Sequence, residues 1–192
     1  MRMMPALLSL VLAAAPAAAD VLYNEFLQGD LSDNRFAPTA FVLGPWQSTL
    51  FGVMEGEYPD NTFDRDYFSV TVPAGYVLSG MLLEAYVSDD FAAFIGIQPG
   101  PIFPNDPDTV LPGDLLGWAL FGPQNVGQDL LTNMGQNGQG FDLPLPAGTY
   151  TFWAQQIGPY TEWVATFQVD VPSPGAASVL GLGVLGALRR RR

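Results

Sequence analysis

The chain has 192 residues and a net charge of −12, and it contains no Cys, His or Lys, because its seven basic residues are all Arg. These absences exclude Ser-His-Asp triads, thiol nucleophiles, imidazole or thiolate metal sites and lysine Schiff bases. The acidic balance is the opposite of the basic face with which proteins bind nucleic acid, so no nucleic-acid partner is expected.

Residues 1–19 have the layout of a secretory signal peptide. Arg2 precedes an apolar run, and small residues lead up to Ala19, which is the usual order of such a signal. We expect a short apolar helix here and cleavage by signal peptidase after Ala19, so that the mature chain starts at Asp20. The protein is therefore predicted to be exported through the inner membrane.

Residues 20–171 are predicted to form one β-rich domain. Alternating apolar residues, bounded by turns rich in Gly and Pro, indicate strands. The nine predicted strands span residues 21–28, 39–43, 47–53, 66–72, 76–87, 92–98, 115–121, 149–157 and 162–171. With one short helix predicted near 127–134, the fold class is all-β, a single antiparallel β-sandwich of the Greek-key or jelly-roll kind.

A late turn supports the sandwich. The run Leu145-Pro146-Ala147-Gly148-Thr149-Tyr150 resembles the tyrosine corner of Greek-key sandwiches, in which the Tyr hydroxyl bonds the backbone upstream. This run, with Asp64 to Phe68 and Val70 to Gly75, also resembles the bacterial pre-peptidase C-terminal (PPC) type of domain. The resemblance implies a small secreted β-sandwich without catalysis of its own, and it names no ligand.

Carboxylates close together in the sequence suggest a cation site. Asp60, Asn61, Asp64 and Asp66 offer oxygen ligands at short spacing, which suits Ca²⁺. The alternative is turn formation, because Asx side chains bond their own backbone. Smaller groups of the same kind are Asp30 with Asp33 and Asn34, Asp89 with Asp90, and Asn105 with Asp106 and Asp108. Calcium is the only cofactor considered.

Two other functions are open at this point. Exposed aromatic rings could stack on sugars in a calcium-assisted carbohydrate-binding module, or they could be core residues; the candidates are Trp46, Trp118, Trp153 and Trp163. Two carboxylates could also form a small hydrolase, but the sequence singles out no pair. The long connections 99–114 and 122–140 are either functional or surface loops.

Residues 172–192 form a three-part tail. Pro172-Ser173-Pro174 precedes an apolar segment, Ala176 to Leu188, and the chain closes on Arg189, Arg190, Arg191 and Arg192. As a helix the apolar segment would measure roughly 20 Å, short of the ~30 Å hydrocarbon core, so we expect a transient span of the inner membrane. The Arg cluster should stay on the cytoplasmic side.

This tail resembles the PEP-CTERM sorting signal of Gram-negative bacteria, with Ser173 where that family normally has Glu. The resemblance implies processing by an exosortase-type enzyme and a link to exopolysaccharide or biofilm material. Together the observations predict an exported, non-enzymatic protein of the cell envelope, outer surface or extracellular matrix. Polysaccharide is its expected partner outside the cell.

Overall fold

The computed structural model describes residues 19–56, 63–156, 158 and 160–172. Two β-sheets face each other, and the predicted all-β sandwich is confirmed. The strands are β1 Asp20–Asn24, β2 Thr39–Val42, β3 Trp46–Met54, β4 Asp64–Val72, β5 Val77–Ser88, β6 Ala93–Pro99, β7 Gly117–Phe121, β8 Gly148–Gln156 and β9 Thr161–Asp170. The helices are α1 Glu25–Gln28 and α2 Leu130–Gly135, and two 3₁₀ turns span Pro112–Asp114 and Pro123–Asn125.

One sheet has four strands in the order β1-β3-β9-β5, and the other has five in the order β2-β4-β8-β6-β7. The central pairs are antiparallel, as expected. The edge pairs β1–β3 and β2–β4 are parallel, which differs from the expected wholly antiparallel pairing. Parallel neighbours require a crossover connection, and here the chain passes between the sheets instead of turning back.

Aromatic rings from both sheets fill the interior. Phe68 on β4 lies opposite Phe152 on β8, and their rings stack with centroids 5.1 Å apart. Phe167 from the other sheet meets both rings edge-on. Such aromatic pairs contribute about 0.5–1.5 kcal/mol each beyond the burial of their area. These contacts hold the two sheets together.

The predicted tyrosine corner is present. The Tyr150 hydroxyl donates a hydrogen bond to the carbonyl oxygen of Pro146 at 3.0 Å. The bond fixes the chain as it enters β8.

Each of the two long connections carries packed hydrophobic residues. Phe103, in the connection 99–114, is fully buried against Tyr67 and Trp153 on the outer face of the five-stranded sheet. In the other connection, α2 buries its apolar residues between the edge strands β5 and β7. Both connections therefore run over the surface and are anchored to the sandwich by a few buried side chains.

The predicted first strand, residues 21–28, is too long. β1 ends at Asn24, whose side chain accepts the Phe26 N–H at 3.0 Å and caps α1. Gln28 returns from the end of the helix to accept the Asn24 N–H at 2.8 Å. This reciprocal capping turns the chain out of the four-stranded sheet and toward the other one.

Candidate metal centre

Five carboxylates from two distant parts of the chain meet at one end of the sandwich. They are Glu25, Asp30 and Asp33 from the crossover segment 25–38, and Asp64 and Asp66 from β4. The backbone joins the two parts, because the N–H of Tyr67 donates to the carbonyl oxygen of Ser32 at 2.8 Å.

Strand geometry points the β4 carboxylates inward. Asp64, Asp66 and Phe68 alternate along β4, so they share the face that carries the core. Phe68 is buried among the central rings, and Asp66 lies one step nearer the end of the sandwich with no exposed surface. The strand therefore delivers a carboxylate to the gap between the two sheets.

The carboxylates form two triads that share Asp30. Oxygens of Glu25, Asp30 and Asp66 all lie within 4.8 Å of one another, and so do oxygens of Asp30, Asp33 and Asp64. We call these the inner and the outer triad. The inner triad has two buried members, whereas Asp30 and Asp33 in the outer triad are exposed.

Asp66 is the unusual member of the inner triad. Neither of its carboxylate oxygens has a hydrogen-bond partner among the described residues, although the side chain is completely buried. A buried carboxylate is expected to be protonated, paired with a cation or bound to a metal. Among the described residues the one ion pair joins Arg65 to Asp108 and leaves Asp66 unpaired, so a proton or a metal ion must satisfy the Asp66 carboxylate.

Glu25 is held in place from both sides. One of its carboxylate oxygens accepts the Leu31 N–H at 2.6 Å, and the other accepts the Val53 N–H. Val53 belongs to β3, so Glu25 ties the crossover segment to the four-stranded sheet. These bonds orient Glu25 toward Asp66 before any ligand arrives, which lowers the entropy lost on binding.

Burial, followed by the charges of neighbouring carboxylates, raises the pKa of four members of the cluster: Glu25, Asp33, Asp64 and Asp66. Burial raises the pKa of Asp66 well above its usual range, and the charges of Glu25 and Asp64 raise it further. Burial also raises the pKa of Glu25 to about 8, against the opposing effect of its two backbone hydrogen bonds. The pKa of Asp64 rises to about 6, again chiefly through burial.

An oxygen-only donor set of this charge fits Ca²⁺. Calcium takes 6–8 oxygen ligands in flexible geometry, whereas Mg²⁺ demands near-ideal octahedral geometry and sheds water reluctantly. A cation among these oxygens would neutralise the charges that raise the pKa values and would satisfy Asp66. The inner triad offers a position with two buried ligands, and the outer triad offers one at which Asp30 and Asp33 are exposed.

The structure brings some of the predicted calcium ligands together and leaves others outside the cluster or outside the described residues. Asp64 and Asp66 lie in the cluster, and both are on β4, which begins two residues earlier than the predicted strand 66–72. Asp60 and Asn61 lie outside the described residues. Asp30 and Asp33, which the sequence placed in a separate and smaller group, join Asp64. Asn34 instead accepts the Phe36 N–H at 3.0 Å, which is turn formation.

Glu25 was missed by sequence reasoning. It fell within a predicted strand, and it lies far from Asp64 and Asp66 along the chain. The available signal was the helix-capping pattern of Asn24 and Gln28, which marks the end of the strand.

The remaining carboxylate groups form no such triad within the described part of the chain. Asp90 accepts the Phe91 N–H at 2.6 Å, and Asp106 accepts the Asp108 N–H at 3.0 Å, as turn-forming residues do. Asp108 forms an ion pair with Arg65, which lowers its pKa.

The four Trp residues do not form one exposed surface. Trp153 and Trp163 are buried, and Trp118 is partly buried and stacks on Phe94 with ring centroids 6.2 Å apart. Trp46 is 60% exposed, and its φ of 84° is rare for a bulky residue. A platform of paired Trp rings is therefore absent from the described residues.

The predicted processing sites fall mostly outside the described residues. Ala19 and Asp20 are described, and Asp20 is exposed as the first residue of β1. Pro172 is exposed where the description ends. Ser173, Pro174 and Arg189, Arg190, Arg191 and Arg192 lie outside it, as does the signal peptide up to residue 18. In the described ranges, no helix has the length and apolar character needed to cross a membrane.

No family model matches this chain, and neither a curated protein nor a solved structure matches it.

Proposed function

We propose that this protein is an exported, non-enzymatic β-sandwich of the cell envelope or extracellular matrix whose fold is completed by bound Ca²⁺. The observation that carries the calcium proposal is Asp66, a fully buried carboxylate with two unpartnered oxygens beside Glu25 and Asp30. Proteins exported from the cell meet far more free calcium than cytosolic ones, so a modest extracellular site of this type would be filled.

The calcium would act as a structural clamp. It would bind the crossover segment to β4 through Asp30 and Asp66, and it would hold β3 indirectly, since Glu25 also bonds Val53. Both sheets and the chain between them would then share one ion. This role needs no substrate, which agrees with the lack of exposed surface on Asp66.

The same burial disfavours the hydrolase alternative at this site. A glycosidase needs two carboxyl groups that flank a bond of the substrate. Asp66 has a raised pKa suited to an acid, but a glycosidic bond cannot reach a side chain without exposed atoms.

The proposed sorting rests on the two ends of the sequence. A signal peptide cut after Ala19 would leave Asp20 as the first residue and keep β1 whole. An exosortase-type enzyme would then act near Pro172-Ser173-Pro174 and remove the Arg cluster. Mass spectrometry of surface material should find a chain that starts at Asp20 and lacks Arg189 to Arg192. Recovery of the intact tail in the membrane would contradict removal.

The calcium proposal is tested by thermal unfolding of the protein with EDTA and with added calcium. We expect EDTA to lower the Tm and calcium to restore it. Asp66→Asn should abolish this response, because the amide cannot supply the charge. The control is Asp170→Asn, at an exposed carboxylate in the last position of β9, which should respond as the wild type does. A Tm that is the same with EDTA and with calcium would overturn the site.

A further inference from the structure

Residues 20–43, which we call the edge segment, supply one edge strand to each sheet. Among the described strands, β1 pairs with β3 alone and β2 pairs with β4 alone. The other strands stay contiguous without the edge segment, in the orders β3-β9-β5 and β4-β8-β6-β7. We call the part of the chain that carries them, from Trp46 onward, the body. The edge segment could therefore leave the body without dividing either sheet.

The edge segment has internal contacts that allow it to move as a unit. The rings of Tyr23 on β1 and Phe41 on β2 pack against each other with centroids 5.4 Å apart. The Ser32 N–H donates to Thr39 Oγ1 at 3.0 Å. The Tyr23 hydroxyl donates to the carbonyl oxygen of Gly29, also at 3.0 Å. Segments with such internal contacts open and close cooperatively in folded proteins.

A short and strained connection joins the edge segment to the body. β2 ends at Val42 in one sheet and β3 begins at Trp46 in the other, so only three residues carry the chain between the sheets. Trp46 has a φ of 84°, in a region that bulky residues rarely adopt and that persists only where the surrounding structure imposes it. Pro45 favours extended backbone at Gly44 before it. An opened, extended hinge would therefore release the strain at Trp46.

The carboxylate cluster lies across the junction between the edge segment and the body. The edge segment contributes Glu25, Asp30 and Asp33, and the body contributes Asp64 and Asp66. Without a cation these groups either repel one another or take up protons, so the cluster weakens the junction. A bound cation would instead hold the two parts together through the same oxygens.

A second copy of the chain could supply every contact that holds the edge segment in place. Leu31 and Leu43 of the edge segment are buried in the core. The N–H groups of Tyr67 and Phe103 each donate to a carbonyl oxygen of the edge segment at 2.8 Å. An exchanged edge segment would restore these contacts in the other copy, so exchange is opposed mainly by the entropy of association. Strain released at the two hinges would offset part of that entropy.

We propose that two copies of this protein form a dimer by exchanging their edge segments about the strained hinge, residues 43–46. β1 and β2 of each copy would pair with β3 and β4 of the other. Reciprocal exchange closes the assembly with two-fold symmetry. Each carboxylate cluster would then be built from both chains, with Glu25 of one chain facing Asp66 of the other.

Calcium would control the rate of this exchange rather than its equilibrium. The monomer and the exchanged dimer contain the same set of five carboxylates, and a ligand with equal affinity for two states shifts neither. Calcium would stabilise both states against the open form, in which its ligands are separated, and so slow the opening. Only this kinetic role rests on the proposed function, since the exchange itself requires no metal.

Cross-linking identifies the chain on which each edge segment is docked. The sequence has no Cys, so Val42→Cys with Thr71→Cys introduces a single pair, at register partners on β2 and β4. The double variant is concentrated in EDTA, calcium is added, and monomer and dimer are separated by size-exclusion chromatography and oxidised. On a denaturing gel without reductant, the dimer fraction should give a covalent dimer and the monomer fraction a bond within the chain. Neither single-Cys variant, as the matched control, should give a covalent dimer.

The hinge is tested separately by two variants of Trp46. Trp46→Gly and Trp46→Ala both remove the ring, but only Gly adopts a positive φ without strain. Relief of strain in the monomer, about fivefold at each of the two hinges, should make the dimer dissociation constant of Trp46→Gly about 30-fold higher than that of Trp46→Ala. Analytical ultracentrifugation in EDTA measures both constants, and it needs no engineered Cys.

Other outcomes overturn the proposal in distinguishable ways. A wild-type protein that stays monomeric when concentrated in EDTA would refute the exchange, and a dimer whose Cys pair closes within each chain would show association through another surface. Equal dissociation constants for the two Trp46 variants would remove the hinge as the cause. Exchange at the same rate with and without calcium would refute only the kinetic role of the metal. A calcium-dependent Tm without any dimer would leave the metal centre standing and refute the exchange.

Discussion

Ser32 and Tyr67 are joined by one backbone hydrogen bond of 2.8 Å, and this bond holds the crossover segment against β4 beside the carboxylate cluster. On one side of it, Asp30 and Asp33 approach the carboxylates of Asp64 and Asp66. On the other side, Tyr67 sends its ring to the outer face of the sheet, where it packs against Phe103 and Trp153. The carboxylate cluster and the outer aromatic cluster therefore lie on opposite sides of the same strand junction.

The inner and outer triads should differ in their affinity for calcium. Asp66→Ala removes the buried ligand and should eliminate calcium binding at the inner position, and with it the calcium-dependent Tm, whereas Asp33→Ala removes an exposed ligand of the outer position alone. We expect Asp33→Ala to retain a calcium-dependent Tm and to lower the number of ions bound. Calorimetric titration with calcium gives the stoichiometry. Equal effects of the two substitutions would argue against separate positions.

The stability of the calcium-free protein should fall as pH rises. The pKa of Glu25 is raised to about 8 and that of Asp66 lies well above its usual range, so the folded chain retains protons that the unfolded chain releases. The free energy of unfolding then decreases from about pH 5 to about pH 8, by up to about 1.4 kcal/mol per pH unit for each retained proton. Urea denaturation in EDTA at the two pH values measures this decrease.

Added calcium should oppose this decrease in the free energy of unfolding with pH, because the metal competes with protons for the same oxygens. The gain in stability on adding calcium is therefore expected to grow with pH. A gain that is independent of pH would place the ion away from Glu25 and Asp66.

The tyrosine corner should stabilise the sandwich by one hydrogen bond. Tyr150→Phe leaves the ring in place and removes the bond to Pro146. The expected loss is about 1 kcal/mol in the free energy of unfolding. Tyr160→Phe, at an exposed hydroxyl, is the comparison in chemical denaturation and should stay within about 0.5 kcal/mol of the wild type.

The packing of the connection 99–114 against the sheet should depend on its single buried ring, Phe103. Phe103→Ala empties the space between Tyr67 and Trp153, and we expect a loss of about 3–5 kcal/mol in unfolding free energy. Phe91→Ala, at a ring that is 79% exposed, serves as the control. A loss as small as that of Phe91→Ala would mean that the Phe103 ring contributes little to the packing of this connection.

Local sequence patterns predicted most of the strands well. They failed at one strand end and at side chains whose burial depends on tertiary contacts. The alternation from Asp66 to Val72 predicted β4, and the Pro-Ala-Gly-Thr-Tyr run predicted the corner at Tyr150. The end of β1 was misplaced because the predicted strand was continued through residues 25–28, where capping by Asn24 starts a helical turn. The burial of Phe103 could not be predicted from the sequence, because a single aromatic residue in a Pro-rich loop forms no periodic hydrophobic pattern.

The sequence by itself determined the chemistry available to this protein and the place of most strands. The absence of His, Cys and Lys restricts its sites to oxygen ligands and guanidinium groups, and two-residue alternation fixes which side chains share a face of a strand. Only the tertiary structure decided which carboxylates meet. Glu25 reaches Asp66 because a parallel edge strand and a crossover between sheets bring residues about forty positions apart into contact. No local pattern encodes such a contact, because it depends on how the two sheets pack.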